Sequence, residues 1–204
     1  MLNNRSDFEK TSITYIPFVE TKHNQGKGIL KKLGKLSTMV IIDDFLPYHN
    51  FKQIEDNILK ARLPWHYNPG SLKENGDWVG PSQLTHVFYD KDVGGVRSAF
   101  YSLVEIIPQK LGAKRLCRIK GNLNPKTFFP RGGGYHTDYP SPPSFRKTAV
   151  YYINTNNGYT KVKGYGKVKS VANRLAIFDC NNLHQGVTCT DKDVRVVFNI
   201  NYDE

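Results

Sequence analysis

The sequence predicts a mainly β domain whose sheet is supported on one outer face by a helical buttress. After Lys114 the chain is a series of short β-like runs separated by turn residues, with no helical pattern between them. Strands that follow one another in this way favour an antiparallel barrel or sandwich. Two stretches with helical periodicity, 51–63 and 98–107, come before the β-rich part. They are expected to pack together on one face of the sheet.

The predicted elements follow one another simply along the chain. A short apolar strand is expected in 38–47, and the first helix has Asn50 as its expected N-cap. The second helix should end where Pro108 and Gly112 interrupt it. Residues 65–83 are rich in glycine, proline and polar side chains, so a long loop is predicted there. The later strands are expected in the runs RLCRIKGNL, KTAVYYIN, RLAIFDC and VRVVFNINY.

Length and composition indicate one globular domain with an extension. The 204 residues are 39% hydrophobic and 23% charged, which allows a sizeable core and lies outside the disordered and coiled-coil ranges. Residues 1–37 are polar and basic with little periodicity, so they are predicted to be an N-terminal extension. The domain proper would cover 38–204, with its β core at about 114–204.

Localisation and general partners follow from the same composition. No apolar run reaches about eighteen residues and the first residues lack an apolar stretch, so we expect a cytoplasmic protein without membrane contact. Cys117, Cys180 and Cys189 form no CxxC pair and are expected to be free, buried thiols. The net charge of +11 would attract polyanions. Nucleic acid is nevertheless not favoured, because solvated lysines explain such a charge more often.

Two histidines and one aspartate in the β-rich half form a candidate metal site. His136 and Asp138 are two residues apart, so on an extended backbone both side chains point the same way. His184, from a distant strand, would complete the set. Two imidazoles and one carboxylate leave three positions of an octahedron open, which is typical of non-haem Fe(II) oxygenases. A structural zinc site would instead have four protein ligands.

Arg195 begins the last predicted strand. Alternation sends Arg195, Val197 and Asn199 to one side of this strand, and Val196 and Phe198 to the other. An inward arginine needs an anion, and a guanidinium group holds a carboxylate by two parallel hydrogen bonds. The alternative is that Arg195 protects an exposed edge strand.

The β-rich half resembles the Fe(II)- and 2-oxoglutarate-dependent dioxygenases, in particular their prolyl-hydroxylase-like branch. The resemblance rests on the runs YHTD, KTAVYYIN, RLAIFD, LHQGV and RVVFNINY. It covers about 38–204 in layout and 116–204 in motifs. The general character of the sequence, rather than a motif, also resembles the compact versions encoded by bacteriophages. It implies a double-stranded β-helix (jelly roll) with supporting helices. For a virus-encoded member, the location would be the host cytoplasm.

The resemblance also implies roles for individual residues. His136, Asp138 and His184 match the family's iron ligands, and Arg195 matches the basic residue that pairs with the distal carboxylate of 2-oxoglutarate. Tyr152 is similar to a tyrosine that hydrogen-bonds the same carboxylate, although its ring could instead pack in the barrel. The implied reaction uses Fe(II), 2-oxoglutarate and O2 and releases succinate and CO2. Ascorbate is a further candidate cofactor.

Loops near the HxD turn or before the barrel are expected to form the substrate entrance. Their aromatic residues could equally anchor the loops to the barrel. The substrate is expected to be a peptidyl residue such as proline, with a small molecule as the other option. The candidate substrate contacts are Trp65, Trp78, Arg131, Tyr139 and Arg146.

Three alternatives stay open at this point. A nucleic-acid-oxidising member of the same superfamily is disfavoured because 196–204 contains no second arginine. A zinc hydrolase or cupin-like isomerase is the second alternative, and no HExxH motif or spare glutamate base supports it. The third is a jelly-roll binding module with a vestigial triad, whose ligand binding would survive replacement of Asp138.

Overall fold

The structure, a computed structural model, describes residues 11–17, 38–60, 63–139, 143 and 145–204. Antiparallel strands make up most of it, and helices lie between the early strands. The elements in chain order are β1 (Ser12–Pro17), β2 (Thr38–Asp43), α1 (Tyr48–Leu59), β3 (His66–Asn68), β4 (Leu72–Glu74), β5 (Asp77–Val79), β6 (Gln83–Asp90), a 3₁₀ turn (Lys91–Val93), β7 (Gly95–Val96), α2 (Tyr101–Val104), α3 (Ile106–Leu111), β8 (Arg115–Pro125), β9 (Arg146–Tyr152), β10 (Tyr159–Val162), β11 (Gly166–Lys169), β12 (Leu175–Asp179), β13 (His184–Val187) and β14 (Val194–Asp203).

A large sheet packs on a smaller one. The large sheet has the strand order β1-β2-β12-β9-β14-β8-β6-β3, with β7 paired to β6, and the smaller sheet has the order β11-β10-β13. An apolar cluster between the sheets contains Val150 and Tyr152 of β9 together with Val162 of β10 and Val168 of β11. The mainly β architecture predicted from the sequence is therefore confirmed.

The opposite face of the large sheet packs against the helices. Ala149 and Tyr151 of β9 belong to a second apolar cluster with Phe51 and Ile54 of α1 and Ile107 of α3. The side chains of β9 alternate between the two clusters because consecutive residues of a strand point to opposite faces. Both faces of β9 are buried over 148–152, where the sequence becomes a continuous apolar run from Ala149 onward. The helical buttress is confirmed as well.

The helices differ in detail from the prediction. α1 begins at Tyr48 after Pro47, so Asn50 lies inside the helix and is not its N-cap. The second helical stretch is divided into α2 and α3, and α3 continues through Pro108 to Gly112, whose φ of 67° ends it. Pro108 is tolerated because it lies in the first turn of α3, where the backbone N–H groups have no partner within the helix.

The stretch 65–83 contains short strands where a loop was predicted. β4 and β5 form a hairpin whose turn residues Asn75 and Gly76 have φ angles of 51° and 93°. Two successive positive φ angles are what a type I′ turn requires, so the loop prediction was wrong here. β6 had no predicted strand either, and it pairs with β8.

The predicted N-terminal extension is described only in part. β1 lies within it and pairs with β2 from Ser12 opposite Asp43 to Pro17 opposite Thr38. Residues 1–10 and 18–37 lie outside the described residues, so the boundary at residue 38 stays a prediction. The cysteines are free and buried, as expected. Among the described residues, no helix has the length and apolar character to cross a bilayer.

Asp203 at the end of β14 is the centre of a buried ion-pair network. Its carboxylate accepts hydrogen bonds from Arg146 Nε at 2.8 Å and from Arg115 Nε at 2.7 Å. The Arg146 side chain is only 9% exposed, so Asp203→Ala leaves a buried guanidinium group unpaired. We expect this variant to lose about 3 kcal/mol of unfolding free energy in chemical denaturation, the usual cost of removing one partner of a buried pair.

The Asp203 carboxylate should also make the free energy of unfolding depend on pH, and Glu204 provides a control variant. The hydrogen bonds from Arg146, opposed by burial, hold the pKa of Asp203 below its usual value. The stabilisation is therefore complete above the ordinary carboxyl pKa of about 4 and is lost as the pH falls through the lower folded-state pKa. Glu204→Ala, which removes an exposed carboxylate, should cost less than about 0.5 kcal/mol. Equal losses in the two variants would contradict the burial argument.

Candidate metal centre

His136 and His184 lie side by side although 48 positions separate them in the numbering of the chain. The two residues form an antiparallel bridge, with backbone N–H···O distances of 3.0 and 2.9 Å. This bridge joins the HxD turn to β13 of the smaller sheet and places the two imidazole ring centroids 4.7 Å apart. The backbone pairing therefore brings both imidazoles to one point.

Both histidines are held in the tautomer that suits metal binding. Nδ1 of His136 lies 3.2 Å from the carbonyl oxygen of Gly134, and Nδ1 of His184 lies 3.1 Å from that of Asn182. A carbonyl oxygen only accepts, so each Nδ1 carries a proton, and the neutral form of each ring then has its lone pair on Nε2. Burial, together with the neighbouring His184, lowers the pKa of His136 and keeps that imidazole neutral.

Asp138 supplies a buried, ionised carboxylate next to the histidines. Its Oδ2 accepts hydrogen bonds from Asn201 Nδ2 at 2.7 Å and from Thr148 Oγ1 at 3.0 Å. Its Oδ1 lies 3.8 Å from His184 Nε2 and 3.4 Å from an Arg118 guanidinium nitrogen. Burial would raise the pKa of Asp138, but His184, Arg118 and Asn201 outweigh it and hold the pKa at about 2. The carboxylate is therefore negative at neutral pH.

The donor set fits a divalent metal ion with open coordination positions. One ligand atom from each of His136, Asp138 and His184 lies within 4.8 Å of the others, and no further His, Cys, Asp or Glu joins the group within the described ranges. His184 Nε2 is buried without a hydrogen-bond partner, which is costly for a polar atom unless a ligand meets it. Two imidazole nitrogens and one carboxylate oxygen are the donors of a non-haem iron site.

Arg195 lies in the same cavity as the three candidate ligands and is 1% exposed. Its Nε donates to Ser170 Oγ and one terminal nitrogen donates to Thr160 Oγ1, both at 2.9 Å. Both partners are neutral, and no carboxylate of a described residue forms a salt bridge with this guanidinium group. A buried cation without a carboxylate partner among the described residues favours the binding of an anion.

Tyr152 and Gly158 shape the surroundings of Arg195. The Tyr152 ring centroid lies 5.7 Å from Arg195 Cζ, and the buried phenol oxygen of Tyr152 has no hydrogen-bond partner. Burial raises the pKa of Tyr152, so the phenol keeps its proton and can donate. A Cβ on Gly158 would lie 2.7 Å from Arg195 Cδ. A glycine is therefore needed where the arginine stem passes.

The candidate substrate contacts have different surroundings. Trp78 on β5 is 41% exposed, and Arg131 is also exposed. Trp65 is partly buried against the helix-side core, which agrees with an anchoring role. Arg146 is paired with Asp203, and Tyr139 lies between Arg146 and Arg118 with its centroid 4.9 and 5.2 Å from their Cζ atoms.

Several cavity residues were not singled out from the sequence. β8 directs Lys120, Asn122 and Asn124 into the cavity, and β14 adds Asn199. The available signal was the polar alternation in RLCRIKGNLN, where every second residue from Arg118 onward is basic or an amide. The same alternation is typical of a solvent-exposed strand face, so it does not by itself indicate a cavity.

The structure resembles solved structures of 2OG-Fe(II) oxygenases. An oxidoreductase of that family from Burkholderia pseudomallei has a TM-score of 0.58 and 15% sequence identity, covering 81% of this chain and 85% of that chain. A prolyl hydroxylase from Trichoplax adhaerens, solved with a hypoxia inducible factor peptide fragment, has a TM-score of 0.56 and 16% identity over 81% and 83%. A Pseudomonas putida prolyl-4-hydroxylase has a TM-score of 0.53 and 16% identity over 81% and 92%.

These likenesses define the fold. The chain has the jelly-roll fold of the 2OG-Fe(II) oxygenases, which confirms the fold class expected from the sequence. No protein-family model matches the sequence, and no curated protein matches it.

Proposed function

We propose that this protein is an Fe(II)- and 2-oxoglutarate-dependent dioxygenase that hydroxylates an organic substrate. The observation that carries the proposal is one cavity that contains both an open set of three metal ligands and a buried arginine with which no described carboxylate pairs. In a protein that bound neither a metal ion nor an anion, a buried guanidinium group without a counterion and the unpartnered Nε2 of His184 would only cost stability.

Each residue of the site has a role in this proposal. His136 and His184 would hold Fe(II) through Nε2 and Asp138 through Oδ1, while Asn201 and Thr148 fix the other carboxylate oxygen. When bound there, iron supplies the redox chemistry that couples decarboxylation of 2-oxoglutarate to succinate with the conversion of a C–H bond to C–OH.

The opposite end of the cavity would bind the cosubstrate. Arg195 would pair with the distal carboxylate of 2-oxoglutarate, and the phenol group of Tyr152 would donate a hydrogen bond to the same carboxylate. Ser170 and Thr160 hold the guanidinium plane in place, so little side-chain entropy is lost on binding. Val150 and Val197 line the cavity and make part of its wall apolar, which limits access of water to the reacting centre.

For the substrate we propose a peptidyl residue such as proline. Two of the structures with the same fold are named as prolyl hydroxylases, and one of them was solved with a peptide fragment. The exposed Trp78 and Arg131 offer contacts for a chain that enters from the surface. O2 is the second cosubstrate, ascorbate would restore iron after unproductive turnover, and the cytoplasm is the proposed compartment.

The decisive experiment is anaerobic addition of Fe(II) and 2-oxoglutarate to metal-stripped protein. We expect the weak visible charge-transfer band of an iron chelate, and its loss together with succinate formation when oxygen is admitted. Succinate in place of 2-oxoglutarate is the control, because it lacks the keto oxygen and cannot chelate. Stripping is necessary because zinc and copper bind such ligands more tightly than Fe(II). No band at saturating 2-oxoglutarate would disprove the cosubstrate assignment.

A further inference from the structure

Lys120 is a cationic residue of the cavity that neither the metal ligands nor the Arg195 site explains. It lies on β8 and lines the same cavity as His136 and Asp138. Among the described residues, none forms a hydrogen bond or a salt bridge with its ammonium group. Burial, together with Arg118, lowers the pKa of Lys120, and Asp138 only partly opposes this. A half-buried ammonium group without a hydrogen-bond partner is costly to the fold unless an anion pairs with it.

The register of the strands separates Lys120 from Arg195. Lys120 pairs with Asn199 on β14, whereas Arg195 pairs with Asn124. The two levels are four positions apart along β14, which corresponds to about 13 Å of strand. Lys120 is thus at the level next to the pair of Arg118 and Asn201, both of which contact Asp138. Lys120 and Arg195 therefore lie at different ends of one cavity, and Lys120 is at the end that contains the metal ligands.

Strand order also places Lys120 closer to the open edge of the large sheet. β14 has β9 and β8 as neighbours, while β8 is followed by β6, which pairs with the short strands β3 and β7. Asn199, opposite Lys120, and Asn122, two residues further along β8, add amide groups to the cavity lining on either side.

The charges of the proposed cosubstrates leave Lys120 without a counterion. Two positive charges of Fe(II) would be met by Asp138 and the metal-bound carboxylate of 2-oxoglutarate, and the charge of Arg195 by the distal carboxylate. Arg118, which also lies next to Asp138, adds to the positive charge around Lys120. No acidic residue remains for Lys120 among the residues that line the cavity. We propose that Lys120, with Asn122 and Asn199, binds a carboxylate group of the substrate. The hydroxylated carbon then lies close to that carboxylate. In a peptide substrate, the carboxylate would belong to an Asp or Glu side chain or to the C-terminus.

This inference rests on the proposed function, and its test separates the two. Protein loaded anaerobically with Fe(II) and 2-oxoglutarate is titrated with acetate, and with acetamide as an uncharged molecule of the same shape, at constant ionic strength. The readout is the shift in the thermal unfolding midpoint. We expect acetate to raise the midpoint of the wild-type protein and acetamide to leave it unchanged. In Lys120→Met we expect acetate affinity to fall at least about tenfold, the effect of losing one charge-assisted hydrogen bond.

Two further variants make the result specific. Lys120→Gln, a polar replacement, should show the same loss, while Lys114→Met, which removes an exposed lysine just before β8, should keep the full acetate shift. The affinity for 2-oxoglutarate, read from the visible band, should stay within about threefold of wild type in all three variants, since they leave Arg195 and the ligands intact. An unchanged acetate shift in Lys120→Met would overturn the proposal. So would a collapse of 2-oxoglutarate affinity, because Lys120 would then bind the cosubstrate.

A missing visible band in the wild-type protein has a different meaning. It would disprove the proposed dioxygenase function, whereas the acetate titration can be repeated with the metal-loaded protein alone. There, an acetate shift that disappears in Lys120→Met still supports the carboxylate site. A shift that persists shows that acetate binds elsewhere in the cavity, at the metal or at Arg195, and overturns the proposal.

Discussion

Asp138→Ala should abolish succinate formation from 2-oxoglutarate. It should also weaken metal binding by more than the roughly 10- to 100-fold that is typical when a residue that hydrogen-bonds a metal ligand is lost. The carboxylate is the anionic member of the donor set, and its ionised state is secured by a pKa of about 2. Its removal leaves two neutral imidazoles, which hold a divalent ion weakly. Equilibrium dialysis with Mn(II) or anaerobic Fe(II) measures the loss, and circular dichroism checks that the variant is folded.

Two matched variants should show smaller losses of metal affinity than Asp138→Ala. Thr148→Val removes one hydrogen bond to Asp138 Oδ2 but keeps the carboxylate, so its metal affinity should fall by about tenfold at the lower end of the outer-shell range. Asp193→Ala removes an exposed aspartate just before β14 and should change nothing. If Asp138→Ala binds metal as tightly as Asp193→Ala, the triad is not a metal site and the binding-module alternative gains support.

The strands that could be predicted from sequence are those with two buried faces. β9 and β14 have apolar side chains in both clusters, so their sequences contain long β-branched and aromatic runs that few other structures produce. The hairpin of β4 and β5 has no such run, because Lys73, Glu74 and Asp77 are exposed. Its available signal was the Asn75-Gly76 pair, which is a turn signal rather than a strand pattern.

The candidate site divides in the same way. The spacing of His136 and Asp138 and the alternation around Arg195 are local features, so they can be read from the sequence. The groups that make these residues work are distant in the chain: Asn201 is 63 residues from Asp138, and Thr160 is 35 residues from Arg195. Such contacts depend on how the strands are ordered in the sheets. A single sequence does not specify that order, and Lys120 was missed for this reason.

Arg195→Met should lower the affinity for 2-oxoglutarate by at least about 100-fold while leaving metal affinity within about threefold of wild type. Methionine keeps most of the side-chain volume but cannot pair with a carboxylate, so Ser170 and Thr160 lose a hydrogen-bond donor without a large cavity being created. The anaerobic visible band gives the 2-oxoglutarate affinity, and Mn(II) dialysis gives the metal affinity. Arg97→Met, on an exposed part of the chain, is the control for loss of an arginine.

Tyr152→Phe distinguishes the two interpretations of the tyrosine. It removes only the buried phenol oxygen, which lies close to Thr160 and Arg195 but makes no hydrogen bond of normal geometry with a described residue. If this oxygen donates to the distal carboxylate, the affinity for 2-oxoglutarate should fall by about three- to tenfold, the usual worth of one hydrogen bond. If the ring only packs in the barrel, the affinity stays unchanged.

Parallel losses of metal and 2-oxoglutarate affinity in Arg195→Met would mean that the arginine supports the whole cavity rather than one carboxylate, and the proposed ion pair would have to be given up.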